Sequence, residues 1–315
     1  MAPSGLRDLT LLIEKLERGD DAGTAALVVF SQLDRSEAAE VRAAWKRIPV
    51  ETRRVVLSRT TALADDNVDL DFGELARIAL KDPDPEVRVL AIKALWESDD
   101  REVARELAAM LCGDPSDEVR TSAASGLRPF VYLRELAQFD ERVGDDVVEA
   151  LRQAATDERQ PVELRALAVE SLGPRGLPWV GDLIESAFYD EDRRLKLAAI
   201  RAMGGSADER WLEFALEQLA SEDPEFRYEG AVACGEIGAE EAVEPLGDLL
   251  GDDDSDVVLA TVQALGEIGG EDALRYLREF RKSVAPGMEE VVDEAIEAAG
   301  LGAGDLLKRG LARYE

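Results

Sequence analysis

Histidine, the most common general base in enzymes, does not occur anywhere in this 315-residue sequence. Its absence removes the Ser–His and Cys–His nucleophile pairs and the imidazole ligands of most catalytic metals. Carboxylates are so abundant, at 68 Asp and Glu residues, that no pair stands out as an acid–base couple. The sequence therefore predicts a protein that is not an enzyme, has no catalytic residue and binds no cofactor.

An acidic run at Asp252, Asp254 and Asp256 has the alternate spacing with which a calcium-binding loop begins. The loop departs from that pattern further on, because Val257 stands where glycine is needed and Gln263 stands where a bidentate glutamate is needed. Other turns of the sequence carry acidic residues at the same places. We therefore interpret the run as a helix cap and predict no metal site.

The cysteines and tryptophans fall within apolar helical patterns, so we expect them to pack in the interior rather than to form a disulfide or a binding anchor. These residues are Cys112, Cys234, Trp45, Trp96, Trp179 and Trp211.

The elements that must position all these residues are repeated helices. Leu164, Leu195, Phe226 and Val257 follow one another at intervals of 31 residues, and each opens a ten-residue segment that ends in glycine. Residues 87–96 and 119–128 follow the same template. Apolar residues recur within each segment at i, i+3 and i+4, as on the buried face of a helix. We expect the closing glycines to allow left-handed helix caps.

A basic residue takes the second position of five of these segments, namely Arg88, Arg120, Arg165, Lys196 and Arg227. An acidic residue often lies six positions earlier, at Asp82, Asp114 and Asp190. We predict that these side chains form ion pairs within or between repeats, with a structural role. Polar turns such as KDPDPE and GDDDSD precede the segments and supply N-caps and first-turn prolines.

The segments DPDPEVRVLAIKALW, SEDPEFRYEGAVACGEIG and DDDSDVVLATVQALGEIG resemble the HEAT-repeat family in its short bacterial, PBS-lyase-like form. The resemblance implies an all-α fold, a right-handed α-α superhelix of about six to seven helix pairs with degenerate N-terminal helices. We expect degenerate repeats and a cap at 1–72, the repeat array at 73–300 with an insertion at about 128–145, and a C-terminal capping helix at 301–315. Together they would form one continuous solenoid.

Relatives of this family include enzymes. Deoxyhypusine hydroxylases hold two irons with His–Glu pairs, and the lack of histidine excludes that activity here. HEAT-like DNA glycosylases need a basic cleft, which the charge of this chain opposes. Phycobilin lyase subunits leave an alternative open, in which the chain is a lyase-type or accessory enzyme subunit that handles a tetrapyrrole or another ligand.

The formal net charge of −31 disfavours nucleic acid and anionic membrane surfaces as partners and favours a basic protein or peptide. Residues 228–274 contain 13 acidic side chains and no basic one. Glu236, Glu267 and Glu271 fall at the junctions between repeats in this segment, so we expect them to form an acidic rim. Solubility is the competing interpretation of the charge.

The helix period places one row of side chains on the inner, concave surface of the second helices. Three of its members are Leu197, Tyr228 and Leu259, and Arg201 belongs to the next row. The first row is apolar enough to suggest a contact surface. The sequence thus predicts a non-enzymatic, monomeric, cytoplasmic scaffold that binds a protein or peptide through the concave helix surface and the acidic rim, with neither nucleic acid nor membrane as a partner.

Overall fold

The structure, a computed structural model, describes residues 4–284 and 287–301. Over these residues it contains α-helices and short 3₁₀ helices and no strand, as the sequence predicted. The capping helix expected at 301–315 lies outside the described residues, except for residue 301. Two compact units divide the chain, at residues 1–171 and 172–315.

Unit 1 contains helix pairs preceded by an N-terminal helix and a 3₁₀ helix at Thr24–Phe30. Its α-helices are α1 (Ser4–Glu17), α2 (Arg35–Ala44), α3 (Val50–Asp66), α4 (Gly73–Ala79), α5 (Pro85–Lys93), α6 (Arg101–Gly113), α7 (Asp117–Gly126), α8 (Arg128–Glu135), α9 (Glu141–Thr156) and α10 (Val162–Leu172), the last of which reaches the boundary between the units.

The described part of unit 2 contains four helix pairs, in which a first helix is followed by a second helix. They are α11 (Pro178–Phe188) with α12 (Arg193–Gly205), α13 (Leu212–Gln218) with α14 (Pro224–Ile237), α15 (Val243–Leu249) with α16 (Ser255–Ile268), and α17 (Gly270–Phe280) with α18 (Glu289–Leu301). Each second helix contacts the next second helix along the chain, so these helices form one layer of the unit.

The second helices begin where the sequence places capping residues. Asp254 accepts hydrogen bonds from the backbone N–H groups of Asp256 and Val257 at the start of α16. Asp84 accepts one from the N–H group of Val87 at the start of α5, where Pro85 takes the first helical position. These bonds satisfy donors that have no partner inside the helix, which explains why the acidic turns recur at the repeat interval.

Two of the arginines expected to form ion pairs join successive repeats. Arg88 donates two hydrogen bonds to the carboxylate of Asp114 in the next repeat, at 2.9 and 2.7 Å, and a third to the carbonyl oxygen of Asp82 in its own repeat, at 2.8 Å. Arg227 likewise donates to Asp252 at 2.7 and 2.9 Å. Because each of these two guanidinium groups joins two turns and is largely buried, the structural interpretation is confirmed for Arg88 and Arg227. Arg120 instead pairs with Asp117 on its own helix, and Arg165 donates a hydrogen bond to the carbonyl oxygen of Ala155.

One further pair of this kind lies in the N-terminal part of unit 1, where the sequence pattern is degenerate. Arg53 takes the fourth position of α3, as Arg88 does in α5, and forms a buried ion pair with Asp82. The same carboxylate accepts a hydrogen bond from the indole N–H group of Trp45 at 2.7 Å. The sequence pattern does not mark Arg53, because the preceding turn carries no aspartate.

The glycines that mark the repeat interval have a different role from the one expected. Gly235 and Gly266 lie inside α14 and α16, whereas the positive φ angles belong to Gly238 and Gly269, at 75° and 70°. A β-carbon on Gly235 would lie 2.8 Å from the Cα atom of Ala264 in the next second helix. These positions lack a side chain because neighbouring helices approach closely there, and in α14 the left-handed cap comes three residues later, at Gly238.

Two interior assignments were wrong. Cys112 is exposed, because the buried side of α6 carries Val103, Ala104, Leu107 and Leu111 and the cysteine falls beyond it. Trp96 is 56% exposed, since it follows the end of α5. The expectation of burial is confirmed for Cys234, Trp45 and Trp211.

Candidate functional site

The second helices of unit 2 carry the residues that the sequence assigned to partner binding, except Glu271, which lies on the first helix α17. We define the second-helix face as the exposed and partly buried side chains of α14 and α16 that point away from the first helices, listed as Tyr228, Val232, Glu236, Leu259, Gln263 and Glu267. They form three rows across the two helices because equivalent positions are 31 residues apart.

The apolar row of this face is smaller than expected. Tyr228 and Leu259 are partly exposed, but Leu197, their equivalent on α12, is only 4% exposed. Leu197 is therefore part of the interior, and its assignment to the surface was wrong.

Arg201, the expected basic contact, lies in an ion pair. Its Nε atom donates to the carboxylate of Glu229 on α14 at 2.8 Å, and Glu225 lies 3.9 Å from the same guanidinium. Glu229 is buried, so the arginine neutralises a carboxylate that would otherwise be costly. Arg201 thus joins α12 to α14 inside the unit.

Glu236 and Glu267 occupy equivalent positions in the last turns of α14 and α16, on the helices and not in the turns between repeats. Each side chain leans over a glycine of the preceding second helix. One carboxylate oxygen of Glu267 lies 2.6 Å from where a β-carbon of Gly235 would be, and Glu236 lies in the same way over Gly204. The missing β-carbons make room for the carboxylates.

Glu267 has an unfavourable electrostatic environment. Burial of its carboxylate raises the pKa, although the residue as a whole is exposed. The carboxylate lies beside the C-terminal turns of α14 and α16, where the helix dipole is negative. Across the described residues, no lysine or arginine forms an ion pair with it. A positive charge brought to this point from outside would stabilise the carboxylate.

Glu271 lies in the first turn of α17, close in sequence to Glu267 and exposed. The positive end of the helix dipole lies here, so it stabilises the ionised carboxylate of Glu271. Some carboxylates of the acidic segment are neutralised internally, by the pairs Arg201–Glu229, Arg227–Asp252 and Arg275–Asp272. The ends of α14 and α16 and the start of α17 keep the exposed carboxylates Glu236, Glu267 and Glu271. Other carboxylates of the segment are also exposed, namely Glu240, Glu241, Glu244, Asp248, Asp253 and Asp256.

The acidic run that resembled a calcium loop is a capping turn. Asp252 pairs with Arg227 and accepts a hydrogen bond from the N–H group of Asp254 at 2.9 Å, while Asp254 caps α16. In the parts of the chain that the structure describes, no group of three or more His, Cys, Asp or Glu residues could hold a metal ion.

Unit 1 has a shallow pocket of about 290 Å³, lined by α1, the 3₁₀ helix and α3. The ion pair between Arg59 and Asp21, at 2.6 Å, lies on its wall beside the exposed side chain of Val55. Its volume is at the lower limit for small-molecule sites. None of the helices between residues 4 and 301 that the structure describes has the length and apolar content of a membrane span.

A protein-family model described as HEAT repeats matches residues 74–156, 180–262 and 212–299. No curated protein matches the chain significantly. The matched ranges include most of the helix pairs described above and extend through the second-helix face.

Solved structures with similar folds come from several organisms. The complex of CpcE and CpcF of phycocyanin lyase from Nostoc sp. PCC7120 has a TM-score of 0.54 at 18% identity, over 84% of this chain and 96% of that chain. YibA of E. coli has a TM-score of 0.43 at 17% identity, over 78% and 95%. Human deoxyhypusine hydroxylase in complex with glycerol has a TM-score of 0.33 at 18% identity, over 95% of this chain and 98% of that chain. The first likeness supports the fold alone.

Proposed function

The chain belongs to the HEAT-repeat family, and from that premise we propose that it is a non-enzymatic scaffold that binds a basic protein or peptide through the second-helix face of unit 2. Repeat arrays of this kind present extended surfaces on which many different functions are built, so the function must be argued from the surface itself.

The observation that carries the proposal is the environment of Glu267. Its carboxylate is partly desolvated, has no cationic partner within the described residues, and lies at the negative ends of two helices. Nothing in the packing of the unit requires a charge there, because glutamine would fill the same space. A lysine or arginine of a partner would supply the missing positive charge, and its approach would be favoured by the long-range field of a chain with charge −31.

The apolar component comes from Tyr228 and Leu259, which lie two to three helical turns before the carboxylates on the same helices. A partner could place an apolar side chain between Tyr228 and Leu259 and a basic side chain beside Glu267. It would then contact both the apolar row and the acidic row of the second-helix face. Tyrosine is common at the energetically dominant points of protein interfaces. The expected partner is therefore a segment with apolar and basic residues, and the expected complex weakens as salt is added.

Charge reversal tests this proposal. Binding of a fluorescein-labelled octalysine peptide would be measured by anisotropy for the native chain and for the triple variant Glu236→Lys, Glu267→Lys, Glu271→Lys. The control is Glu14→Lys, Glu97→Lys, Glu158→Lys, which makes the same change of charge at exposed positions of unit 1. We expect the first triple to weaken binding more than about tenfold and the control less than about threefold. Equal losses in the two triples would mean that the net charge acts without a specific surface.

The alternative, a lyase-type or accessory subunit that handles a tetrapyrrole or another ligand, has support in the fold likeness to the phycocyanin lyase complex. It requires a bound chromophore. Visible absorbance that co-purifies with the chain from a pigment-producing host would favour it over the scaffold, and a colourless chain that binds the peptide would argue against it.

A further inference from the structure

An aromatic cluster lies on the first helices of unit 2, away from the second-helix face. The rings of Phe188 and Phe214 meet edge to face with centroids 5.2 Å apart, and Trp211 adjoins Phe214 at 5.4 Å. Tyr189 completes the cluster, at 5.3 Å from Phe188 and 6.5 Å from Phe214. The cluster links α11 to α13. Four aromatic residues in one place are unusual for this chain, because aromatic residues make up only 5% of the sequence.

Tyr189 differs from the other rings because it is 67% exposed. Trp211 is buried, and Phe188 and Phe214 are partly buried. The inner rings hold the tyrosine in place through edge contacts, so that it presents an ordered aromatic face to solvent at little conformational cost. An exposed tyrosine supported in this way has the properties of an interface anchor.

Two exposed carboxylates belong to the helices that carry the cluster. Glu185 lies four residues before Tyr189, one helical turn away on the same side of α11, and Glu217 lies three residues after Phe214 on α13. Both are exposed. Neither takes part in an ion pair with any other described residue. The patch thus combines an aromatic face with two unpaired negative charges, and that combination attracts a planar cation.

The chain already uses the same chemistry on neighbouring rings. The guanidinium of Arg210 lies 4.5 Å from the centroid of Trp211, and that of Arg193 lies 5.4 Å from the centroid of Phe226. Within the described residues no cation covers Tyr189.

We propose that Tyr189, with Glu185 and Glu217, forms a second docking surface that binds an arginine side chain of a basic protein segment. The guanidinium stacks on the tyrosine ring and donates hydrogen bonds to the carboxylates, which a lysine ammonium cannot do with the same planar geometry. The surface lies on the first helices, so it operates independently of the second-helix face and adds specificity for arginine to the general attraction for basic partners.

The experiment separates the two surfaces by starting from the triple variant Glu236→Lys, Glu267→Lys, Glu271→Lys, in which the second-helix face is disabled. Affinities for octa-arginine and octalysine peptides would be compared in that background. We expect octa-arginine to bind about two- to fivefold more tightly, the range for a stacked guanidinium at an exposed ring. Equal affinities for the two peptides would overturn the proposal.

Substitutions at the ring locate the preference. Tyr189→Ala should abolish it and Tyr189→Phe should retain it, because the aromatic face and not the hydroxyl group makes the contact. Tyr132→Ala is the matched control, since Tyr132 is another exposed tyrosine, at 53%, and lies in unit 1. Circular dichroism would verify that each variant is folded. An equal loss of preference in the Tyr132 and Tyr189 variants would also overturn the proposal.

Discussion

Gly235 of α14 packs directly against Ala264 of α16, so that a β-carbon on the glycine would lie 2.8 Å from the Cα atom and 2.9 Å from the Cβ atom of the alanine. The same contact recurs one repeat earlier between Gly204 and Ala233, at 2.9 Å from the Cα atom. These contacts set how closely the second helices approach one another in unit 2.

Gly235→Ala should therefore destabilise the protein, although alanine is the better helix former. The added methyl group meets backbone, which cannot move aside as the end of a side chain can, so overpacking outweighs the gain in propensity. We expect a net loss of about 1–2 kcal/mol in the free energy of unfolding, measured in urea. Gly251→Ala is the control, because a β-carbon there has only a 3.9 Å contact. A stabilised Gly235→Ala variant would contradict the packing role.

The ion pair between Arg227 and Asp252 makes part of the stability depend on pH. The hydrogen bonds from Arg227 hold the pKa of the Asp252 carboxyl below its usual 3.8. Since the folded-state pKa is depressed, the contribution is present above pH 3.8 and is lost as the pH falls through the folded value. Asp252→Asn should be less stable than the native chain at pH 7, and urea unfolding should show the difference shrinking below pH 4 or so. A constant difference at all pH values would mean that the carboxylate charge is not involved.

Glu267→Gln should have the opposite effect. Burial raises the pKa of Glu267 above its usual 4.5, so the ionised form is less favourable in the folded state than in the unfolded state. The native chain is therefore destabilised as the pH rises from 4.5, the usual pKa, through the raised pKa of the folded state. Glutamine carries no charge and avoids this destabilisation. Thermal unfolding at pH 7 should therefore show a small gain for Glu267→Gln.

Glu271→Gln is the matched control for this substitution. It removes a negative charge from the first turn of α17, where the helix dipole favours one, so a loss of about 0.3–1 kcal/mol is expected. If both variants moved the melting temperature in the same direction, the local environment of Glu267 would not be the cause.

The repeat interval, the helix pairs and the capping turns could be read from the sequence, because they depend on local chemistry. Asp254 caps α16 and Arg88 pairs with Asp114 through groups whose spacing along the chain is regular. The all-α fold followed from the same periodicity. Even the degenerate N-terminal region obeys it, since Arg53 repeats the role of Arg88 although its turn lacks the aspartate that would have identified it.

The composition of the candidate surfaces depended on the tertiary structure, because exposure is decided by what packs against each helix. The period alone placed Leu197 with Tyr228 and Leu259, but the leucine is buried whereas the other two side chains are partly exposed. Glu229 is one of the 13 acidic side chains of residues 228–274, and Arg201 reaches it from the previous repeat.

Contacts between residues distant in the sequence also gave some residues their roles. The repeat glycines looked like helix caps and proved to be points of helix contact, and no local pattern marked Tyr189 as the exposed member of an aromatic cluster. The sequence by itself determined which helices form and how they repeat. The tertiary structure decided which side chains remain available to a partner, because that depends on the distance between helices and not on the spacing of residues along one of them.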